Sequence, residues 1–208
     1  MTAESSGLVR CIRFTLSVLR CVTLIGIFAY GVWAYVAPDD DIKLEIEVHG
    51  SEVTTDVEFF VRATPQETWA VLTDYDHATK FISGLERSVV LTRSGEMLIV
   101  SQKGRVDYGP FFTTFETIAE THLIPYESIS SRMLSGNMKK NQSTTLISPE
   151  SGGTRVVHHL ESIPDVWIPP IIGRVLIAHE VRNRFRQLIA EILRRHAAST
   201  RMPSGHPD

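Results

Sequence analysis

The chain has 208 residues, a net charge of −3 and 22% charged residues. That length suits one domain with an appendage. The near-neutral balance provides no global positive field for a nucleic-acid partner, so none is expected.

The appendage comes first. Arg10, Arg13 and Arg20 precede the charge-free run CVTLIGIFAYGVWAYVA, Cys21–Ala37, and Asp39, Asp40 and Asp41 follow it. A bilayer span needs about 20 apolar residues. Starting the run at Phe14 meets that length with only Arg20 inside, near an end from which it can snorkel. The reading is a cytoplasmic N-terminus over 1–13 and a transmembrane signal anchor over 14–37. The positive flank should stay cytoplasmic, so the rest of the chain would lie on the periplasmic side of the inner membrane, single-pass. A cleaved signal peptide stays open as the alternative, with Val32-Trp33-Ala34 as the cleavage region. Arg20 directly before Cys21 argues against a lipoprotein. Both cysteines, Cys11 and Cys21, lie in this segment, so the domain beyond it holds neither disulfide nor thiol nucleophile.

Residues 38–51 read as a linker and first strand. In IKLEIEVHG the apolar residues alternate with Lys43, Glu45, Glu47 and His49, which is a strand pattern. EVTTDVEFFVRA reads as a second strand. Thr64, Pro65 and Glu67 then form a helix start: N-cap, first helical position and capping box. A second helical turn is expected over His77–Ile82, with Asp74 capping and Tyr75 in the core. From Leu85 to Ile163 the pattern is an antiparallel meander punctuated by Ser94-Gly95, Gly109-Pro110, Pro125, Gly136 and SPESGG.

A long terminal helix is expected from Pro170 to His196, about 40 Å at 1.5 Å per residue. Ile171, Val175, Ala178, Val181, Phe185, Leu188, Ile189 and Ile192 form its apolar side. Glu180, Arg184, Gln187, Glu191 and Arg194 lie opposite. The tail 199–208 reads as disordered.

TPQETWAVLTDYDHATKFISGLERSVVL resembles the opening of START-like (SRPBCC) proteins of the polyketide cyclase and coenzyme Q-binding group. Pro65, Trp69, Asp74-Tyr75 and Phe81 carry that likeness. GNMKKNQSTTLI and GTRVVHHLESIPDVWIPPIIG are similar to the family's last strands and its entry into the terminal helix. Met138 and Ser143-Thr144-Thr145 depart from the aromatics that relatives often carry there. The resemblance implies an α+β helix-grip fold over 52–198, a curved antiparallel sheet around a long C-terminal helix. It implies a hydrophobic tunnel that holds a lipid, quinone, sterol or polyketide.

The expected cavity lining is Phe111, Phe115, Tyr126, Met133, Met138, Trp167, Ile171, Val175, Ala178, Arg182 and Phe185. Met and aromatic side chains suit an adaptable apolar pocket, and equally an ordinary core. Phe111 and Phe115 share a strand face opposite Phe112. Arg182 falls within the apolar stripe, where an unpartnered charge is costly. It could snorkel at the mouth, pair with Glu161, or meet a polar headgroup. Of His158-His159, one should point inward and one outward. No HxH or HExxH spacing supports a metal. Asp74, Asp107, Tyr108 and Glu161 are the candidates for acid–base work, but no nucleophile elbow or phosphate loop accompanies them. No cofactor or catalytic residue is assigned. Met138-Lys139-Lys140 with Arg132 reads as a solvated loop or as a basic patch for anionic lipid. The function expected is a membrane-anchored carrier for a hydrophobic small molecule, with a polyketide cyclase or dehydratase and an interaction module as the other readings.

Overall fold

The computed structural model describes residues 42–108, 111–165 and 170–201. The segment 14–37 and the Gly109-Pro110 break lie outside these. Among the described residues no helix is long and apolar enough to cross a membrane. Residues 40–208 form a compact unit of their own.

Two strands come first, β1 (Ile42–His49) and β2 (Glu52–Val61), joined through Gly50 at φ +65°. Helix α1 (Pro65–Leu72) and a 3-10 segment (Tyr75–Lys80) follow. Six strands come next: β3 (Leu85–Ser94), β4 (Met97–Tyr108), β5 (Phe111–Ile124), β6 (Ser128–Gly136), β7 (Met138–Glu150) and β8 (Gly153–Pro164). Helix α2 (Pro170–Arg201) closes the domain. The eight strands make one antiparallel sheet in the order β1-β2-β8-β7-β6-β5-β4-β3. With α2 lying along its concave face this is a helix-grip fold.

Three boundaries differ from the sequence reading. β1 pairs with β2 over its whole length, from Ile42↔Phe59 to His49↔Glu52, so it belongs to the domain and not to a linker. The second helical turn is a 3-10 segment beginning at Tyr75, two residues earlier than expected. Helix α2 continues past His196 to Arg201, because the Ser199 hydroxyl donates to Glu67 Oε1 at 2.9 Å and ties the last turn to α1.

The concave face is filled in two ways. Trp69, Leu72 and Tyr75 pack on Leu98, Val100, Leu123, Ile129 and Ile147 and seal one end. Phe185, Ile192, Val181, Leu188 and Ile189 of α2 pack on Ile42, Val57, Phe59, Val61 and Val156, toward β1, β2 and β8. Ile177 and Ala178 continue that seam onto Ile46 and Val53.

Across the middle of the sheet the ladder is short. β6 and β7 pair only from Ser128↔Leu146 to Arg132↔Gln142. Beyond that point β6 stays with β5 as far as Gly136, and β7 stays with β8 as far as Met138. The connecting tip bends to the β5 side. Asn137 accepts from the Glu116 N–H and donates to the Thr114 carbonyl, both at 2.8 Å.

Candidate functional site: the space between sheet and helix

Strand alternation sends one half of each strand's side chains toward α2. Near α1 these are buried: Leu98, Thr121, Leu123, Ile129, Thr145 and Ile147. Further along β5, β6 and β7 the inward residues Phe115, Thr117, Ala119, Ser131, Met133, Asn141 and Ser143 are only half-buried. Helix α2 packs on β1, β2 and β8 and also meets β4, and the stretch of wall between them stays half-buried.

Hydroxyls run across that wall. The Tyr75 hydroxyl bonds Thr121, whose Oγ1 is 3.1 Å from Ser131 Oγ. Ser143 stands opposite Ser131 in register. One strand on, Thr145 Oγ1 lies 2.8 Å from His158 Nδ1. The His158 ring sits 5.3 Å from Phe185, which is itself 5.8 Å from Phe59. Burial pushes the Tyr75 hydroxyl up to about 12. Burial also pulls His158 down to about 4, helped by the charges of His159 and Arg184. Both groups are therefore neutral at pH 7. Both side chains keep part of their surface exposed.

The expected lining residues fall in different places. Phe115 is half-buried with the Arg184 guanidinium 5.7 Å above its ring, and Phe112 faces away, 60% exposed beneath Arg105. Met133 lies along the half-buried wall, and Met138 accepts a 3.7 Å contact from Asn141 Nδ2 at its far end. Ala178 is in the seam with β1, and Phe185 belongs to the packed core under α2. Arg182 is half-buried, its Nε shielded from solvent. Tyr126 sits apart, in the β5–β6 turn at φ +65°, edge-on to Trp69 and 46% exposed. Val175 is 69% exposed near the start of α2. Trp167 and the side chains of Phe111 and Ile171 lie outside the described residues.

Other expectations change. Glu161 points to the convex face and pairs with Lys140 at 2.7 Å, so it cannot meet Arg182. Asp74 makes no side-chain cap. It accepts from Arg195 Nη2 and meets His77 Nδ1, each at 2.7 Å, and these partners outweigh burial to hold its carboxyl low. Arg184 lies at the flank of the helix stripe, and its long side chain reaches the sheet. Glu191 is buried against Arg194 and Arg195, because the 3-10 side of the domain covers that face of α2. The expected basic patch is neutralised: Arg132 meets Glu120 at 3.2 Å, Lys139 meets Asp165 at 3.3 Å, and Lys140 meets Glu52 and Glu161.

His159 takes the outward side, with Nδ1 2.7 Å from Asp56. It borders a groove of about 390 Å³ on the convex face, with Glu120, His122, Arg132, Gln142 and Thr144. This groove is polar and on the wrong side of the sheet for an apolar cargo. Among the described residues no group of three or more His, Cys, Asp or Glu could hold a metal.

The polar wall was not assigned from the sequence. Its one signal is the density of Ser and Thr at inward positions of β5–β7, which alternation makes visible only once the register is known.

A family model described as polyketide cyclase / dehydrase and lipid transport matches residues 61–188. No curated protein sequence matches. The fold is similar to the Zhui aromatase/cyclase from a Streptomyces strain, at 14% identity and TM-score 0.57, over 74% of this chain and 99% of that one. It is similar to a START superfamily protein from Mycobacterium smegmatis, at 13% identity and TM-score 0.57, over 70% and 99%. Human StAR-related lipid transfer protein 5 aligns at 10% identity and TM-score 0.56, over 85% and 98%. The model spans more than half of the chain and ends inside α2: this protein belongs to the polyketide cyclase / dehydrase and lipid transport family.

Proposed function

We propose that the domain holds one hydrophobic small molecule, a lipid, quinone or sterol, between the sheet and α2, and carries it unchanged. One observation supports this above the others: the inward residues Phe115, Thr117, Ala119, Ser131, Met133 and Ser143 between sheet and helix are only half-buried. Apolar ligand surface transferred there gains roughly 25 cal/mol per Å² buried. A signal anchor at 14–37 would keep the domain beside the inner membrane on its periplasmic side, where such cargo is dissolved. Arg10, Arg13 and Arg20 ahead of the apolar run support that orientation.

The test is mass spectrometry of a solvent extract from residues 40–208, purified from the native host without detergent. A stoichiometric lipid, quinone or sterol is the expected result. An empty domain that also takes up no added apolar probe would sink the carrier. Protease treatment of spheroplasts checks the placement: the domain should be digested in cells whose cytoplasm stays sealed.

The alternative is a cyclase or dehydratase, favoured by finding a histidine and a tyrosine on one wall. Their protonation argues for hydrogen bonding instead. A base with a pKa of about 4 and an acid of about 12 are both far from the range that suits proton transfer at neutral pH.

A further inference from the structure

The Thr145–His158 pair lies on the inward face of β7 and β8, and its hydrogen-bond directions can be counted. The Thr145 hydroxyl is buried, and among the described residues its partner is His158 Nδ1 at 2.8 Å. The hydroxyl has one hydrogen to place, and the neutral ring has one N–H. If Nδ1 carried that proton and donated to Thr145, the buried hydroxyl's hydrogen would have no acceptor among the described residues, a costly arrangement. If the hydroxyl donates to Nδ1, both atoms are satisfied. The ring proton then sits on Nε2, the nitrogen that does not face Thr145.

The rest of the wall is polar but uncharged. Among the described residues, the inward positions of β5 to β8 hold hydroxyls, an amide, methionines and aliphatics, but no carboxylate. That wall therefore has no counter-charge for an ammonium headgroup. The imidazole packs against the buried Phe185 ring, 5.3 Å away.

We propose that His158 Nε2–H donates to a carbonyl oxygen of the cargo, which enters oxygen-first. The ligand class is a long or fused-ring hydrocarbon with a ketone, quinone or ester carbonyl at its inner end. This rests on the carrier reading and narrows it. Thr145 is a positioning residue: it acts by fixing the ring's tautomer and orientation.

The experiment uses residues 40–208, delipidated, and two probe sets. One is hexadecane, 1-hexadecanol and 2-hexadecanone. The other is cholestane, cholestanol and cholestanone. Within the set that binds, the ketone should be held about three- to tenfold more tightly than the hydrocarbon, the worth of one neutral hydrogen bond. His158→Phe should abolish that preference, read as the ratio of ketone to hydrocarbon affinity. Thr145→Val should weaken the preference with His158 still present. Nitrogen-15 chemical shifts of the unsubstituted protein should report the Nε2–H tautomer, whether or not the variants fold. Equal retention of all three probes, a preference for alcohol over ketone, or an Nδ1–H tautomer would each overturn the proposal and leave the carrier standing. Binding of no probe from either set would overturn the carrier as well.

Discussion

His158 and His159 are neighbours with opposite dependence on pH. Burial holds the His158 pKa at about 4, against about 6.5 in an unfolded chain. Between those values the unfolded chain binds more protons, so the stability His158 contributes is complete above pH 6.5 and is lost as pH falls toward 4. The full loss is on the order of 3 kcal/mol. His159 has its pKa raised by the Asp56 hydrogen bond, so its contribution is present below about 6.5 and is lost as pH rises through its folded value. Urea unfolding of His158→Phe at pH 7, 5.5 and 4.5 should show the first slope removed. The remaining fall below about pH 4.5 belongs to carboxylates such as Glu191, which Arg194 and Arg195 hold at about 2. A second residue needs no titration. Thr68 is fully buried on α1, and its hydroxyl has no hydrogen-bond partner among the described residues. Thr68→Val removes that polar group at nearly the same shape and should stabilise the domain by about 1 kcal/mol, read as a thermal midpoint about 3 °C higher. Alternation predicted one inward histidine of the pair, but it could not choose between them. The choice follows from β8 placing Val156 and His158 on the face where Val57 and Phe59 of β2 meet α2.

At the scale of elements, local signals were readable and long-range ones were not. The capping box of α1 is present as the sequence implied: Glu67 N–H donates to Thr64 Oγ1 and the Thr64 N–H to Glu67 Oε2. All its atoms lie within four residues. The role of Asp74 could not be read, because Arg195 is 121 positions away. Together Asp74–Arg195 and Glu67–His196 fasten the end of α2 to α1. A double-mutant cycle on Asp74→Ala and Arg195→Ala should give a coupling of about 1 kcal/mol, reduced by salt because both groups retain some solvent contact. Gly104 was also missed. A Cβ there would meet the Gly84 carbonyl at 2.5 Å and the Phe115 ring at 2.7 Å. Gly104→Ala should therefore cost about 1–3 kcal/mol by urea unfolding and shift Phe115 off the wall.

For the molecule as a whole, fold and pocket ask different things of the sequence. The succession of strands and the gripping helix follow from apolar periodicity, turn residues and the family likeness, while the pairing of β2 with β8 does not. The content of the pocket does not, because its wall is drawn from single inward residues on several strands, each of which reads alone as ordinary core. Cargo binding has a thermodynamic signature that bypasses this. A ligand at one hundred times its dissociation constant should stabilise residues 40–208 by about 2.7 kcal/mol, measurable as a concentration-dependent midpoint.

The short β6–β7 ladder has a mechanical consequence. Five register pairs join a half made of β1, β2, β8 and β7 to one made of β6, β5, β4 and β3. Past Arg132 and Gln142 no β6–β7 register pair is formed, and the Asn137 clasp holds to the β5 side only. A sheet with such a seam can widen there without breaking a full ladder. Backbone amides of residues 133–141 should then exchange with solvent faster than those of Ser128–Arg132 on the same strand, and slow down when the hold is full.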